Sequence, residues 1–205
     1  MFDKRVNDGS LERLREAVER TSVLTSGRTA TGLTHDDADD VVGTIGTDSA
    51  HGFDPFPLLR ALCDTGARVV VIGQVAGILH GSAELTGDLD LLWDGDPAQA
   101  EALARAFGAV GCRLLDEDRD PVALDARAFA LPKLQFESSS VSGDCCTPAL
   151  PWGTLPVRGF LGRALTASGS DGLQVQYLRR EDLIAMRRAV GRAKDLRRAE
   201  ELERL

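Results

Sequence analysis

Apolar residues first recur at helical spacing in SLERLREAVER, where Leu11, Leu14 and Val18 fall on one stripe and Ser10 is placed to cap the first turn. The pattern then lapses. Residues 21–52 are rich in Gly, Thr, Ser and Asp without a sustained period, which predicts a linker, with a possible helix start at Thr34 in THDDADDVV. From Phe53 the periodicity sharpens. PLLRALCDTG (57–66) places Leu58, Leu59, Leu62 and Cys63 on one helical stripe ending at Gly66, and ARVVVIG (67–73) is a β-branched run ending in glycine. QVAGILHG (74–81) fits a short helix, TGDLDLLW (86–93) a second strand, and PAQAEALARAFGAVG (97–111) a helix opened by proline. KLQFES and VSGDCCT then read as two strands with a turn near Ser139, LQVQYL (173–178) as another strand, and residues 180–205 as two helices broken near Gly191. Residues 112–132 carry no clear period. The order is mixed α+β, with a helical C-terminal end. We divide the chain into an arm and linker, 1–52, partly flexible, and a main domain, 53–205.

Composition narrows the class of protein. No apolar run approaches the ~18 residues of a membrane span, and the N-terminal residues lack the apolar core of an export signal, so a soluble, cytoplasmic protein without membrane contact is expected. Cys63, Cys112, Cys145 and Cys146 show no C-x-x-C spacing and read as small buried hydrophobes. The net charge of −8 argues against a surface built for sequence-independent nucleic-acid binding. Positive charge does collect at the C-terminal end, because residues 171–205 hold 9 basic and 7 acidic groups. The run Asp36, Asp37, Asp39, Asp40 reads as a solvated acidic face.

Two motifs invite chemistry. VVVIGQVAG begins as a dinucleotide-binding turn begins, but Val75 and Ile78 stand where G-x-G-x-x-G requires its later glycines, which excludes that site. The second is TGDLDLLW. Asp88 and Asp90, two apart on an expected strand, share a face with Cα atoms roughly 6–7 Å apart, so both carboxylates can converge on one cation. Alone, such a pair also fits a strand end facing water. Ionised carboxylates among leucines are costly without a partner, and the natural partner is a metal ion.

The surroundings of this pair resemble the DNA polymerase β-like nucleotidyltransferase superfamily, in particular its small bacterial members related to AbiEii-type toxins and antibiotic nucleotidyltransferases. The resemblance is carried by Ile72-Gly73-Gln74-Val75-Ala76, Leu79-His80-Gly81 and Thr86-Gly87-Asp88-Leu89-Asp90-Leu91, and by the closing helices, where Asp182, Leu183, Ile184, Arg187, Gly191, Arg192, Lys194 and Asp195 match. It spans roughly residues 57–205. One departure is Gln74, where the family has a second small residue at the approach of the triphosphate. Its amide either donates to a phosphate or obstructs it.

The resemblance implies a nucleotidyltransferase fold with a small mixed sheet flanked by helices. It implies that Asp88, Asp90 and a third carboxylate, Asp144 of VSGDCC, are catalytic and hold two Mg²⁺ ions, with Mn²⁺ able to substitute, and Glu137 is the next candidate for the third. Gly73, Gln74, Thr86, Arg187, Arg192 and Lys194 are the implied nucleotide-binding residues. The three basic residues also fit a solvated helix face paired with Asp195, Glu200 or Glu201. His80 reads as a helix-end histidine with a structural hydrogen bond, and Trp93 and Trp152 as core or rim packing. The implied reaction is transfer of a nucleoside monophosphate from an NTP to a hydroxyl acceptor, such as an RNA 3′ end, a protein or a small molecule like an antibiotic. The alternatives are a degenerate nucleotidyltransferase fold that binds a nucleotide or a partner without turnover, and a protein-interaction module, such as one half of a toxin–antitoxin pair, in which the 1–52 arm binds the cognate antitoxin or another protein partner.

Overall fold

The computed structural model describes residues 9–33 and 44–205. Thr34 and the run Asp36, Asp37, Asp39, Asp40, expected as a helix start and an acidic face, lie outside the described residues. Among those described, the helices are α1 (Ser10–Thr25), α2 (Phe56–Thr65), α3 (Gly73–Leu79), α4 (Ala100–Ala109), α5 (Val157–Leu161), α6 (Arg180–Val190) and α7 (Ala193–Arg204). The strands are β1 (Val69–Ile72), β2 (Asp90–Trp93), β3 (Arg113–Leu115), β4 (Pro121–Val122), β5 (Lys133–Glu137), β6 (Ser142–Cys146), β7 (Leu165–Ser168) and β8 (Gln174–Tyr177).

All eight strands join one mixed sheet in the order β4-β3-β5-β6-β2-β1-β8-β7. The β2–β6 and β1–β8 pairs are parallel and the others antiparallel. The sheet is larger than the small one expected. Its outer strands β3, β4 and β7 have three, two and four residues, too few for alternation to stand out from noise. The β2 strand is also shorter than residues 86–93, since Asp88 lies in an extended lead-in. Leu89 nonetheless begins the pairing, its N–H donating to the Ser142 carbonyl at 2.9 Å.

The pleat sorts side chains into two faces. On one, Phe136 meets Phe107 of α4 with ring centroids 5.0 Å apart, and Trp93 stands edge-on to Phe129 at 6.1 Å. Trp93, Phe107 and Phe136 are all buried at 1 % exposure or less, which marks this side as the hydrophobic centre. The opposite face of β1 and β2 is covered by α3, itself in contact with α6, which packs on α7.

Helix α1 departs from expectation in two ways. Its N-cap is Gly9, at φ +74, and Ser10 is the first helical residue. The Ser10 hydroxyl turns inward, accepts from Arg13 Nη2 at 2.8 Å and lies 3.4 Å from the Tyr177 hydroxyl, so tertiary packing displaces it from the capping position. Leu11, Leu14 and Ala17 enter the same core as the sheet, and the helix packs on α3 and β7. The following segment, expected as linker, contains the helix's last turn and short 3₁₀ turns at Thr44–Gly46 and Asp48–Ala50. Gly87 lies so close to Ala50 that an added Cβ would come within 2.5 Å of its Cα, which fixes this segment against the lead-in to β2.

No helix among the described residues is long and apolar enough to cross a membrane. All four cysteines are free, with Cys63 half-buried and the other three buried.

Because Leu14 is fully buried under α1, Leu14→Ala is expected to destabilise the fold by about 2–5 kcal/mol in urea unfolding. A loss below about 1 kcal/mol would show that α1 docks only marginally.

Candidate active site

The sheet brings the three aspartates together by register. Leu91 of β2 is opposite Cys145 of the parallel strand β6, so one step back Asp90 stands beside Asp144 on the same face. Asp88 precedes Asp90 by two residues and lines the same cleft. Two glycines allow this approach. A Cβ on Gly143 would lie 1.9 Å from the Leu89 carbonyl oxygen, so only glycine lets β6 lie this close to the lead-in of β2. Gly73 has φ +63, and a Cβ there would lie 2.0 Å from Asp90 Oδ2. The Asp90 carboxylate therefore rests against the glycine that opens α3.

The cleft, about 320 Å³, runs from this carboxylate edge to the junction of α6 and α7. Asp90 carries a clear electrostatic signature in it. Burial first, then the charges of Asp88 and Asp144, push its carboxyl well above the usual carboxylate range, while Lys133 and Arg198 oppose the shift. Thr86, buried at 1 % exposure, donates its hydroxyl to Asp88 Oδ1 and so orients that carboxylate. Thr86 does not itself line the cleft. Asp144 pairs with Lys133, whose Nζ is 3.0 Å from Asp144 Oδ2.

Two of the implied nucleotide-binding side chains are committed to other roles. Gln74 is 3 % exposed; its Nε2 donates to Ser82 Oγ at 2.9 Å and to the Glu84 carbonyl at 2.7 Å, and its Oε1 accepts from Arg187 Nη2 at 2.7 Å. Both amide protons are thus engaged within the fold. Arg187, 5 % exposed, is neither a cation open to solvent nor part of a solvated helix face. It donates to the Arg198 carbonyl at 2.9 Å and to the Gly73 carbonyl at 3.2 Å, in addition to Gln74. Burial first, then the neighbouring Arg198 charge, lower its pKa to about 10. Two of these acceptors, on Gly73 and Gln74, come from a segment more than a hundred residues away in sequence, which is why a helical reading of α6 placed this arginine outside.

The other two cations keep more of their expected character. Lys194 lines the cleft and is buried, and its pKa is lowered by desolvation and then by Arg192 and Arg198, with Asp195 and Asp88 opposing. Arg192 also lines the cleft and pairs with Asp195 at 2.6 Å, which is the ion pair that the solvated-face reading expects.

Sequence reasoning missed Lys133, Glu84 and Arg198. Both Nε and Nη2 of Arg198 donate to Glu84 Oε1, at 2.8 and 2.6 Å, while Glu201 accepts from the Ser82 hydroxyl at 2.7 Å and the Ala83 N–H at 2.9 Å. These contacts bind α7 to the loop between α3 and β2. Lys133 had a legible signal, since KLQFE alternates and puts Lys133, Gln135 and Glu137 on the face opposite Leu134 and Phe136. Trp152 forms part of the rim, with Nε1 donating to the Thr147 carbonyl at 2.8 Å. Glu137 pairs with Arg113 at the outer side of the sheet.

The chemistry of the donors fits a hard divalent cation at Asp88 and Asp90, which line one cleft and whose crowding is what a cation would relieve. Among the described residues, no group of three or more His, Cys, Asp or Glu is arranged to hold a metal. No protein-family model and no curated protein matches the chain.

His80 ends α3 with Nε2 2.8 Å from the Leu178 carbonyl, and its ring lies 5.0 Å from that of Tyr177. Burial lowers its pKa below 6.5, partly countered by that hydrogen bond. The unfolded chain then binds the proton more readily, so stability is expected to hold above about pH 6.5 and to fall as pH drops below it. His80→Gln should flatten this loss between about pH 6.5 and 5 in urea midpoints, and an unchanged slope would assign it to other groups. Separately, Gly73→Ala is expected to cost at least about 1–3 kcal/mol in the same assay, because it adds left-handed strain to a clash with the Asp90 carboxylate.

Proposed function

We propose that the chain is a divalent-metal-dependent nucleotidyltransferase of the DNA polymerase β-like superfamily, moving a nucleoside monophosphate from an NTP to a hydroxyl acceptor. The observation that carries this reading is the convergence of Asp88, Asp90 and Asp144 at one edge of a cleft whose other side holds Lys194 and Arg192. A side rich in carboxylates facing a side that holds Lys194 and Arg192 suits a metal–triphosphate ligand, whose two components require opposite charges.

Asp88 and Asp90 would hold the cation, Mg²⁺ or in its place Mn²⁺, with Thr86 fixing the first carboxylate and Gly73 leaving room for the second. The bound ion supplies charge neutralisation for the triphosphate. Lys194 and Arg192 face the same space and bind the phosphates that lie farther from the carboxylates. Asp144, on the adjacent strand, activates the acceptor. The acceptor oxygen bonds to the α-phosphorus, its proton leaves by way of Asp144, and the bond between that phosphorus and the α–β bridging oxygen breaks, with pyrophosphate carrying away the electron pair. Catalysis of this kind rests mainly on positioning and electrostatics, so holding three carboxylates and two cations in place is the principal contribution of the protein.

A second reading is favoured by Gln74 and Arg187, which are locked into the fold instead of reaching the ligand. Here the cleft binds a nucleotide without transferring it. Incubation with each α-labelled NTP, Mg²⁺ or Mn²⁺, and pools of RNA, lysate protein and hydroxylated small molecules separates the two. Transfer of label is expected, with Asp144→Asn retaining nucleotide binding while transfer falls by about 10²–10³-fold or more, and Asp88→Asn losing both. Nucleotide binding with no labelled product from any pool would favour the second reading, and absence of both would overturn each.

A further inference from the structure

Lys133 belongs to no motif in the sequence, yet its ammonium touches the carboxylate edge. In the β5–β6 register Gln135 is opposite Asp144 and Lys133 opposite Cys146, so the long lysine stem reaches along the strand to bring Nζ within 3.0 Å of Asp144 Oδ2. Neither side chain is on the open surface, with 25 % of Lys133 and 20 % of Asp144 exposed, so their attraction is less screened than that of a surface pair. The same ammonium acts on Asp90, where it opposes the crowding of the three carboxylates.

We propose that Lys133 takes the place of the second divalent cation, so that the site holds one metal ion on Asp88 and Asp90 and an ammonium on Asp144. The proposal rests on the nucleotidyltransferase reading and narrows it. A second ion ligated by Asp144 would sit against the Lys133 ammonium, and two cations cannot share that oxygen without strong repulsion. Charge agrees, since one divalent ion and one ammonium carry three positive charges against three carboxylates. Asp144 then meets the acceptor hydroxyl directly, its charge held by a group that belongs to the chain and is not lost on dilution.

The test counts ions with Mn²⁺ alone, by the electron paramagnetic resonance signal of free Mn²⁺ titrated with the full chain. One Mn²⁺ per wild-type chain is expected, and two per chain in Lys133→Met, which keeps the apolar stem and removes the ammonium. Lys133→Arg should remain at one. Asp144→Asn should bind its single Mn²⁺ within about threefold of the wild-type affinity, whereas Asp88→Asn should weaken it by more than about tenfold. Two ions in the wild type, or one in a folded Lys133→Met, would overturn the inference and leave the nucleotidyltransferase reading intact. A large loss of Mn²⁺ affinity in Asp144→Asn would overturn it in the same way, without depending on the folding of the lysine variants. No Mn²⁺ bound by the wild type would overturn both.

Discussion

Arg187 lies where α3, α6 and α7 meet, and its guanidinium can be buried there only because three oxygens receive it. Those oxygens belong to Gly73, Gln74 and Arg198, so one side chain joins the start of the first site helix to the last two helices. An arginine in such a position lacks water to compensate for any lost partner, and each missing hydrogen bond would leave a buried acceptor or donor at about 1–3 kcal/mol. The contact is therefore specific. It also explains why residue 77 is glycine, since a Cβ there would lie 2.7 Å from Arg187 Nη2. The cleft inherits its shape from this junction, because the helix bearing both Lys194 and Arg198 is held against the strand ends bearing the carboxylates.

The carboxylate edge follows a different logic. The three aspartates repel one another. Relief comes from Lys133 on β5, Arg198 on α7 and the Thr86 hydroxyl two residues before Asp88. Stability and chemistry are thus set against each other here. The crowding is what the proposed metal–nucleotide ligand would relieve.

What the sequence revealed was the local part of this design. The helical stripe of α2, the β-branched run of β1, the pairing of Asp88 with Asp90 and the glycine break between α6 and α7 all stand in short windows, where period and punctuation can be read directly. The structure brings Asp144 into the same cleft, although its strand neighbour was not deducible. The roles of Gln74 and Arg187 were different. Arg187 meets Gly73 and Gln74 across more than a hundred residues of chain, and a single sequence carries no signal that a surface-looking arginine will be buried by such distant acceptors. The same holds for Ser10, which reads as a cap by local rules and is turned inward by Tyr177. Lys133 is the intermediate case, since alternation placed it on the polar face but nothing local showed which acid it would meet.

The middle of the sheet has a temporal consequence. Strand β2 ends at Trp93 and its parallel neighbour β6 begins at Ser142, and β1 waits for β8, which begins at Gln174. Pairings of such long separation close slowly, because the loop entropy must be met before the contacts form. As the chain emerges during synthesis, Asp88 and Asp90 exist for a long interval without Asp144, and the helices that form the far wall come last of all. The cleft is therefore a late product of folding, and a partly synthesised chain carries two of its carboxylates but no place to use them.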